Sequence, residues 1–394
     1  MRVLIATVTA GGGHLQAAAA LVGAWRTLHP GDTVRKVDVL DFSPPFYKRL
    51  YEKGYEALVK RAPELYALLF KETDNSSLMR KLCRLRRSFS SATHQRFVNH
   101  LIRFRPDVVL CTHFMPLGIL GGLMSKEPRF RPFTVCVVTD FEAHALWIEP
   151  CVDLYCVAAD ETKASLISRG VLPEKVAVTG IPISASFSKR ISAGRVRKNY
   201  GLREGVPTVL VLSGGFGMGP IGGVLAELDK LHHPVQVLAV AGRNKRLRRE
   251  LASLKHLQFT RVLGFVTNMN EMMSVADLIV TKPGGLTSSE ALAVGRPLLI
   301  LNPIPGQETA NSAFLLKHGA AVKVNRMKDL VRRIDLLLGS PGLREMARAA
   351  KAIGRRGAAR DICRAVAKRM RDSEKQGLEK SQRRPARRVT RHPI

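Results

Sequence analysis

Four short segments gather the residues that could do chemistry. The first, residues 9–14, reads Thr9-Ala10-Gly11-Gly12-Gly13-His14 and falls where an apolar run gives way to a helix-forming stretch. Glycines there let the backbone turn tightly and approach a ligand, and the helix that follows presents free N–H groups. An imidazole titrates near neutral pH, so His14 has the character of a general base for an acceptor hydroxyl; the competing reading is a helix-capping or merely exposed histidine. The second segment, SGGFGMGP at 213–220, repeats the device after another apolar run. Its N–H groups suit either an anion-binding nest or an ordinary loop. The first segment spells neither GxGxxG nor GxxxxGK[ST], so the dinucleotide and Walker readings fail there at the letter level.

The strongest pattern is the third, TKPGGLTSSEAL at 281–292, set between an apolar run and an amphipathic stretch. Gly284 and Gly285 permit close approach, Thr287 and Ser288 can cap a helix or donate to phosphate oxygens, and the helix N-terminus favours a diphosphate. Glu290, one turn further, is placed to accept both hydroxyls of a ribose, or alternatively to close a capping interaction. In the fourth segment, PIPGQETAN at 303–311, Gln307, Glu308 and Asn311 offer the mixed donors and acceptors that sugar hydroxyls need. Residues 281–311 therefore read as the donor half of a nucleotide-sugar site. Lys282, the nest and the helix N-terminus can stabilise charge building on a departing diphosphate, work that a metal would otherwise do.

Such loops need strands to hold them. Apolar runs without alternation, the mark of strands buried on both faces, occur at 3–8, 108–111, 134–139, 154–158 and 176–179, and again at 208–212, 235–241, 278–281 and 298–301. Longer amphipathic stretches separate them, which predicts an α/β chain of two doubly wound, Rossmann-like domains facing a cleft. The division expected is 1–180 for an acceptor- and membrane-facing domain, 181–205 for a hinge, 206–340 for a donor-binding domain and 341–370 for C-terminal helices. A basic, disordered tail is expected over 371–394. Residues 44–105 read as helical.

The chain of 394 residues carries 63 Lys and Arg against 32 Asp and Glu, a formal charge of +31. That excess favours polyanionic partners: nucleic acid, anionic lipid or phosphorylated substrates. A nucleic-acid function leaves the glycine-rich loops without work, and the chain has no aromatic RNA-binding motif, so no nucleic-acid partner is expected. The six cysteines form no CxxC pair and no zinc spacing with histidine, which fits buried thiols in a reducing cytosol and no metal site. No apolar run reaches membrane-spanning length, so membrane contact is expected to be peripheral. The basic stretches at 47–60, 80–105 and the C-terminal tail suit anionic lipid, and the apolar side chains of 63–70 suit the headgroup region; solvated helix faces are the alternative.

With these motifs in order, the chain resembles the monogalactosyldiacylglycerol synthase and processive diacylglycerol glucosyltransferase group of glycosyltransferase family 28. The likeness covers roughly residues 1–365 and rests on TAGGGH at 9–14, VVTDFEAHALWIEPCVDLYCVA at 137–158, TGIPI at 179–183, SGGFGMGP at 213–220, AGRN at 241–244, GFV at 264–266, KPGGLTSSEAL at 282–292 and PGQETAN at 305–311. It implies a GT-B fold and inverting transfer of hexose from UDP-glucose or UDP-galactose to diacylglycerol, with no cofactor and no catalytic metal, at the cytoplasmic face of a membrane. It further implies that Phe265 and Val266 frame the uracil and Glu290 holds the ribose. Gly217, Met218, Thr287 and Ser288 would face the diphosphate, beside Gly284 and Gly285, and Gln307, Glu308 and Asn311 the hexose. His14 becomes the candidate base on the acceptor side, with Gly12, Gly13, Thr139, Asp140, His144 and Trp147. Two positions depart from the family pattern: Phe216 replaces an acidic residue of GGGEGMG, and Ser184 stands where an Arg commonly follows GxPI. Lys282 and Arg243 are the candidate substitutes for the missing charge. A different lipid-linked acceptor and a UDP-sugar 2-epimerase are the competing activities.

Overall fold

A computed structural model describes residues 1–9, 11–74, 94–213, 220–301, 303–304 and 306–382. The first half forms a parallel sheet of β1 (Arg2–Thr7), β2 (Thr33–Asp38), β3 (Val108–Cys111), β4 (Phe133–Val137), β5 (Leu154–Val157) and β6 (Val176–Val178), in the order β2-β1-β3-β4-β5-β6. The second half forms another from β7 (Thr208–Leu212), β8 (Gln236–Val240), β9 (Phe259–Leu263), β10 (Leu278–Thr281), β11 (Leu298–Leu301) and β12 (Ala321–Val324), in the order β12-β11-β10-β7-β8-β9. Central strands such as β3, β5, β10 and β11 are buried at every residue, as helices covering both faces require. The expected pair of doubly wound α/β sheets is what the chain forms.

Strand order reverses between β1 and β3 in the first sheet and between β7 and β10 in the second. Loops leaving the carboxyl ends of strands at such points diverge and leave a crevice for ligand. The turn carrying His14 follows β1, and residues 282–285 follow β10. The topology thus puts two of the chemically suggestive segments at the two crevices.

The crevices face each other. Helix Gly12–Leu28 packs against helix Gly285–Ala293, and one apolar cluster joins Ala17, Phe141 and Ile181 of the first half to Leu286, Ala291 and Leu315 of the second. The chain then returns: helix Ala358–Gln382 lays Ala359, Ile362, Cys363 and Val366 onto Val3, Ile5, Leu21 and Trp25 under the first sheet. This corrects the tail expected from residue 371. The helix runs to Gln382: an apolar stripe anchors its first half on the core, and the polar stretch that follows continues the helix through Gly377 without a proline. The remainder, 383–394, lies outside the described residues, as does most of the basic stretch 80–105.

Residues 45–73 are helical as expected, in Pro45–Arg61 and Pro63–Thr73, each with proline in its first turn where a missing N–H costs nothing. Among the described residues no helix is long and apolar enough to cross a membrane. Because Ile362 is fully buried in the core of the first sheet, Ile362→Ala is expected to lower unfolding free energy by about 2–5 kcal/mol in urea titrations.

Candidate active site between the two sheets

His14 sits in the first turn of the helix that leaves β1, and its ring orientation is fixed. Nδ1 lies 2.7 Å from the Thr112 carbonyl oxygen. A carbonyl only accepts, so Nδ1 carries the proton and the neutral ring keeps its lone pair on Nε2. The Thr139 hydroxyl oxygen stands 3.0 Å from the same Nδ1, and the Thr112 hydroxyl donates back to the His14 carbonyl at 3.1 Å. His113 meets the His14 ring edge-on at 4.8 Å, and Trp147 lies 6.4 Å away. Burial holds the His14 pKa below the ordinary imidazole value, while the charge of Asp140 and the Thr112 carbonyl oppose that shift. The ring is therefore neutral at neutral pH, with Nε2 available as a base.

Opposite it stands the loop after β10. A Cβ built on Gly285 would overlap the Thr139 carbonyl oxygen, so the close approach expected of this glycine is made with the other domain. Gly284 is different: nothing lies within 4 Å of a Cβ built there, and its face of the helix N-terminus is open. Gly13 touches the Leu286 side chain, Gly12 adjoins open space, and Thr287 is half-buried. Ser288 is fully buried with no partner for its hydroxyl, so in this conformation it presents no surface to the cleft.

Glu290 is the unusual group. Burial alone pushes its carboxyl up to about 8, and no described side chain or backbone group donates a hydrogen bond to it or pairs with it. The capping interaction weighed for Glu290 is not made. Glu308, in contrast, accepts the Ile304 N–H at 2.7 Å; burial raises its pKa, against that bond and the charge of Lys282. Gln307 opens the same helix, Gln307–Lys317, and is half-buried. Asn311 spends its amide on the first domain: it accepts the Phe141 N–H at 2.8 Å and donates to Asp140 Oδ1 at 2.9 Å. On the far side of the second sheet's crevice, the Arg243 guanidinium lies 4.8 Å over the exposed Phe265 ring, with half-buried Val266 next in the chain. Gly217, Met218 and the departing Phe216 lie outside the described residues.

The loop at 140–147 is braced by His144 itself and by Phe70, and also by Asp74 and Arg169, which the sequence did not single out. His144 Nδ1 accepts the Leu146 N–H at 3.1 Å, so Nε2 carries the proton and donates to the Phe70 carbonyl oxygen at 2.9 Å. Both nitrogens of this expected acceptor-side residue are engaged with the chain. Asp74 receives the Ala145 N–H and a two-pronged pair from Arg169 at 2.5 and 2.9 Å, which holds the end of helix Pro63–Thr73 against the loop. The Phe70 ring then covers Gly306, whose φ of +91° and contact with that ring, 2.8 Å from a built Cβ, leave no room for a side chain. His113 could have been noticed, being a histidine directly after a buried strand; the Asp74–Arg169 pair spans too many residues to leave a local signal.

Residues 14–183 match the family described as monogalactosyldiacylglycerol (MGDG) synthase, and 197–355 match glycosyl transferases group 1. The processive diacylglycerol beta-glucosyltransferase of Bacillus pumilus is 30% identical over 339 residues, 86% of each chain, and that of Bacillus subtilis is 30% identical over 86% of this chain and 87% of its own. The chain belongs to this family, glycosyltransferase family 28. Solved structures share the family's GT-B fold. MurG of Acinetobacter baumannii superposes with a TM-score of 0.59 at 15% identity, over 93% of this chain and 99% of its own. Anabaena HepE in complex with UDP-glucose gives 0.54 at 13% identity, over 94% and 100%. UDP-GlcNAc 2-epimerase of Neisseria meningitidis gives 0.59 at 15% identity, over 93% and 100%.

For this glycosyltransferase the state of Glu290 has a measurable signature. Between the ordinary value of 4.5 and the raised value of about 8, the unfolded chain has released a proton that the folded chain still holds. Stability therefore falls as pH rises across that window. Glu290→Gln has no such proton, and is expected to match the wild type near pH 4.5 and to exceed it by up to about 5 kcal/mol at pH 8.5 in denaturant titrations.

Proposed function

We propose that the cleft transfers a hexose from UDP-glucose or UDP-galactose to 1,2-diacylglycerol at a membrane surface, with inversion and without a catalytic metal. The observation that carries the reading is the Glu290 carboxyl, half-buried and without a partner among the described residues on the donor side, while His14 offers Nε2 on the other. A carboxyl in that condition lacks donors, and the two hydroxyls of a ribose are donors of the right kind. The names of the relatives supply diacylglycerol as acceptor, and a β-glucoside formed from an α-linked nucleotide sugar is an inversion.

In this mechanism His14 Nε2 takes the proton of the acceptor hydroxyl as its oxygen attacks the anomeric carbon from the face opposite UDP. The C–O bond to the diphosphate breaks and UDP leaves with the electron pair. Lys282 and the open Gly284 side of the helix N-terminus meet the growing negative charge. Phe265 and Val266, with Arg243 over the ring, make a platform suited to uracil, and Gln307 and Glu308 read the hexose.

Acceptor delivery calls for contact with lipid. Phe46 is 76% exposed and Leu50 57%, and Leu65, Leu68 and Leu69 are exposed on the next helix. Apolar side chains on two neighbouring helices of a chain of charge +31 suit an anionic bilayer surface. The cytoplasmic leaflet, where nucleotide sugars are found, is the membrane face that fits.

Incubated with each UDP-hexose and vesicles containing diacylglycerol, the enzyme is expected to yield hexosyl-diacylglycerol, identified by mass spectrometry. A product that is an epimer of the UDP-sugar, formed without lipid, would contradict this. His14→Ala is expected to lower kcat by about 10²–10⁴ with UDP affinity retained, whereas Glu290→Ala is expected to weaken UDP binding about tenfold or more by calorimetry.

A further inference from the structure

We propose that Asn311, reaching across the cleft from the second domain, positions Asp140 beside His14, so that the base is fully assembled only when the cleft is closed. The proposal rests on the glycosyl-transfer reading above and concerns how that site is switched on.

Asn311 is fully buried, and both ends of its amide serve the opposite domain: the oxygen takes the Phe141 N–H and the nitrogen donates to Asp140 Oδ1. The same helix grips this corner in two other ways. Phe314 stacks on Phe141 with ring centres 4.3 Å apart, and Lys317 bonds Glu161 at 2.9 Å. Those contacts fasten the domains together, but Asn311 alone among them touches a group that acts electrostatically on His14.

Asp140 does not orient the His14 ring, because Nδ1 is already held by the Thr112 carbonyl. Its contribution is charge. When Nε2 accepts a proton in the transition state the ring becomes cationic, and a nearby carboxylate in a water-poor cleft stabilises that cation. Burial works against an ionised Asp140, raising its pKa, while the Asn311 hydrogen bond and the His14 charge lower it. An N–H donor on Oδ1 therefore helps to keep the carboxylate charged at the pH of catalysis. His113 is the other titratable group facing His14, at its ring edge. Glu308, with Lys282 beside it, is the further charged group within reach of Asp140.

Opening the cleft separates Asn311 from Asp140, since they belong to different domains. The carboxylate then loses its donor, and His14 loses part of the support for its protonated form. The chain thus couples the strength of its base to domain closure, which would suppress deprotonation of bound acceptor before the donor-side helix has docked.

Kinetic pH profiles of the full-length enzyme test this. A base that must be neutral gives an activity that rises with pH through its pKa, and the Asp140 charge raises that pKa. Asp140→Asn, which keeps an acceptor for Asn311, is expected to move the acid limb of kcat/KM down by about half a unit or more and to lower plateau kcat about tenfold. Asn311→Ala is expected to do the same while UDP affinity, read by calorimetry, stays within about twofold of wild type, and the double variant should be no worse than the poorer single one. An Asn311→Ala enzyme that loses kcat with an unmoved acid limb overturns the proposal and leaves Asn311 a structural brace. So does an Asp140→Asn enzyme with wild-type kcat and limb, a variant that does not depend on how well Asn311→Ala folds. A wild-type chain that binds no UDP overturns the transferase reading, and this proposal with it.

Discussion

The first helical residue after β10 must be glycine for the two domains to meet as they do. At Gly285 the backbone lies so close to the Thr139 carbonyl oxygen that a methyl group would force the sheets apart. Thr139 is also the residue whose hydroxyl lies beside His14, and its neighbour Asp140 is bonded by Asn311. One missing side chain thus fixes the distance between the wall that holds the candidate base and the wall that holds Glu290. Leu286, packed on Gly13, seals the same seam with apolar contact. Local sterics at this seam set how closely the two sheets approach there.

The electrostatics of the cleft run against the charge of the whole chain. Three acids near the seam, Asp140, Glu290 and Glu308, are all raised by burial, and each is treated differently. Asp140 receives an amide from the opposite domain, Glu308 receives a backbone N–H from its own loop, and Glu290 receives nothing from the described chain. A structural acid is normally given a partner, because leaving a buried polar group unpaired costs about 1–3 kcal/mol. The carboxyl left without one is where an external donor is missing, and the proposed ribose contact rests on that asymmetry.

Much of this was legible in the sequence, for physical reasons that also explain the rest. Strands β3, β7, β10 and β11 stand out as apolar runs at the residues where they form, since both faces are covered. Strands β2, β9 and β12 escaped notice because they lie at sheet edges, where TVRKVD, FTRVL and AVKV mix charged residues into a half-exposed surface. His14 and Glu290 stand out in the sequence as candidates because each follows glycines at a strand-to-helix turn. The direction of the Asn311 amide was not, since an asparagine in a sugar-facing motif looks the same whether it serves a hexose or the other domain. Nor was the exclusion of Ser288 from the cleft, which depends on which side of a helix turns inward. Helix Ala358–Gln382 was recognised as helical in its first half only, because polar, basic sequence reads as solvated chain until an anchored helix carries it onward.

The central claim is that Glu290 waits for the ribose of a UDP-sugar. Its most direct test is the number of protons exchanged when UDP binds, obtained by calorimetry near pH 7 in buffers of different ionisation enthalpy. A carboxyl that is protonated when the cleft is empty and ionises to accept ribose hydroxyls should release about one more proton in the wild type than in Glu290→Gln. Equal proton counts in the two proteins, at similar UDP affinity, would contradict the account.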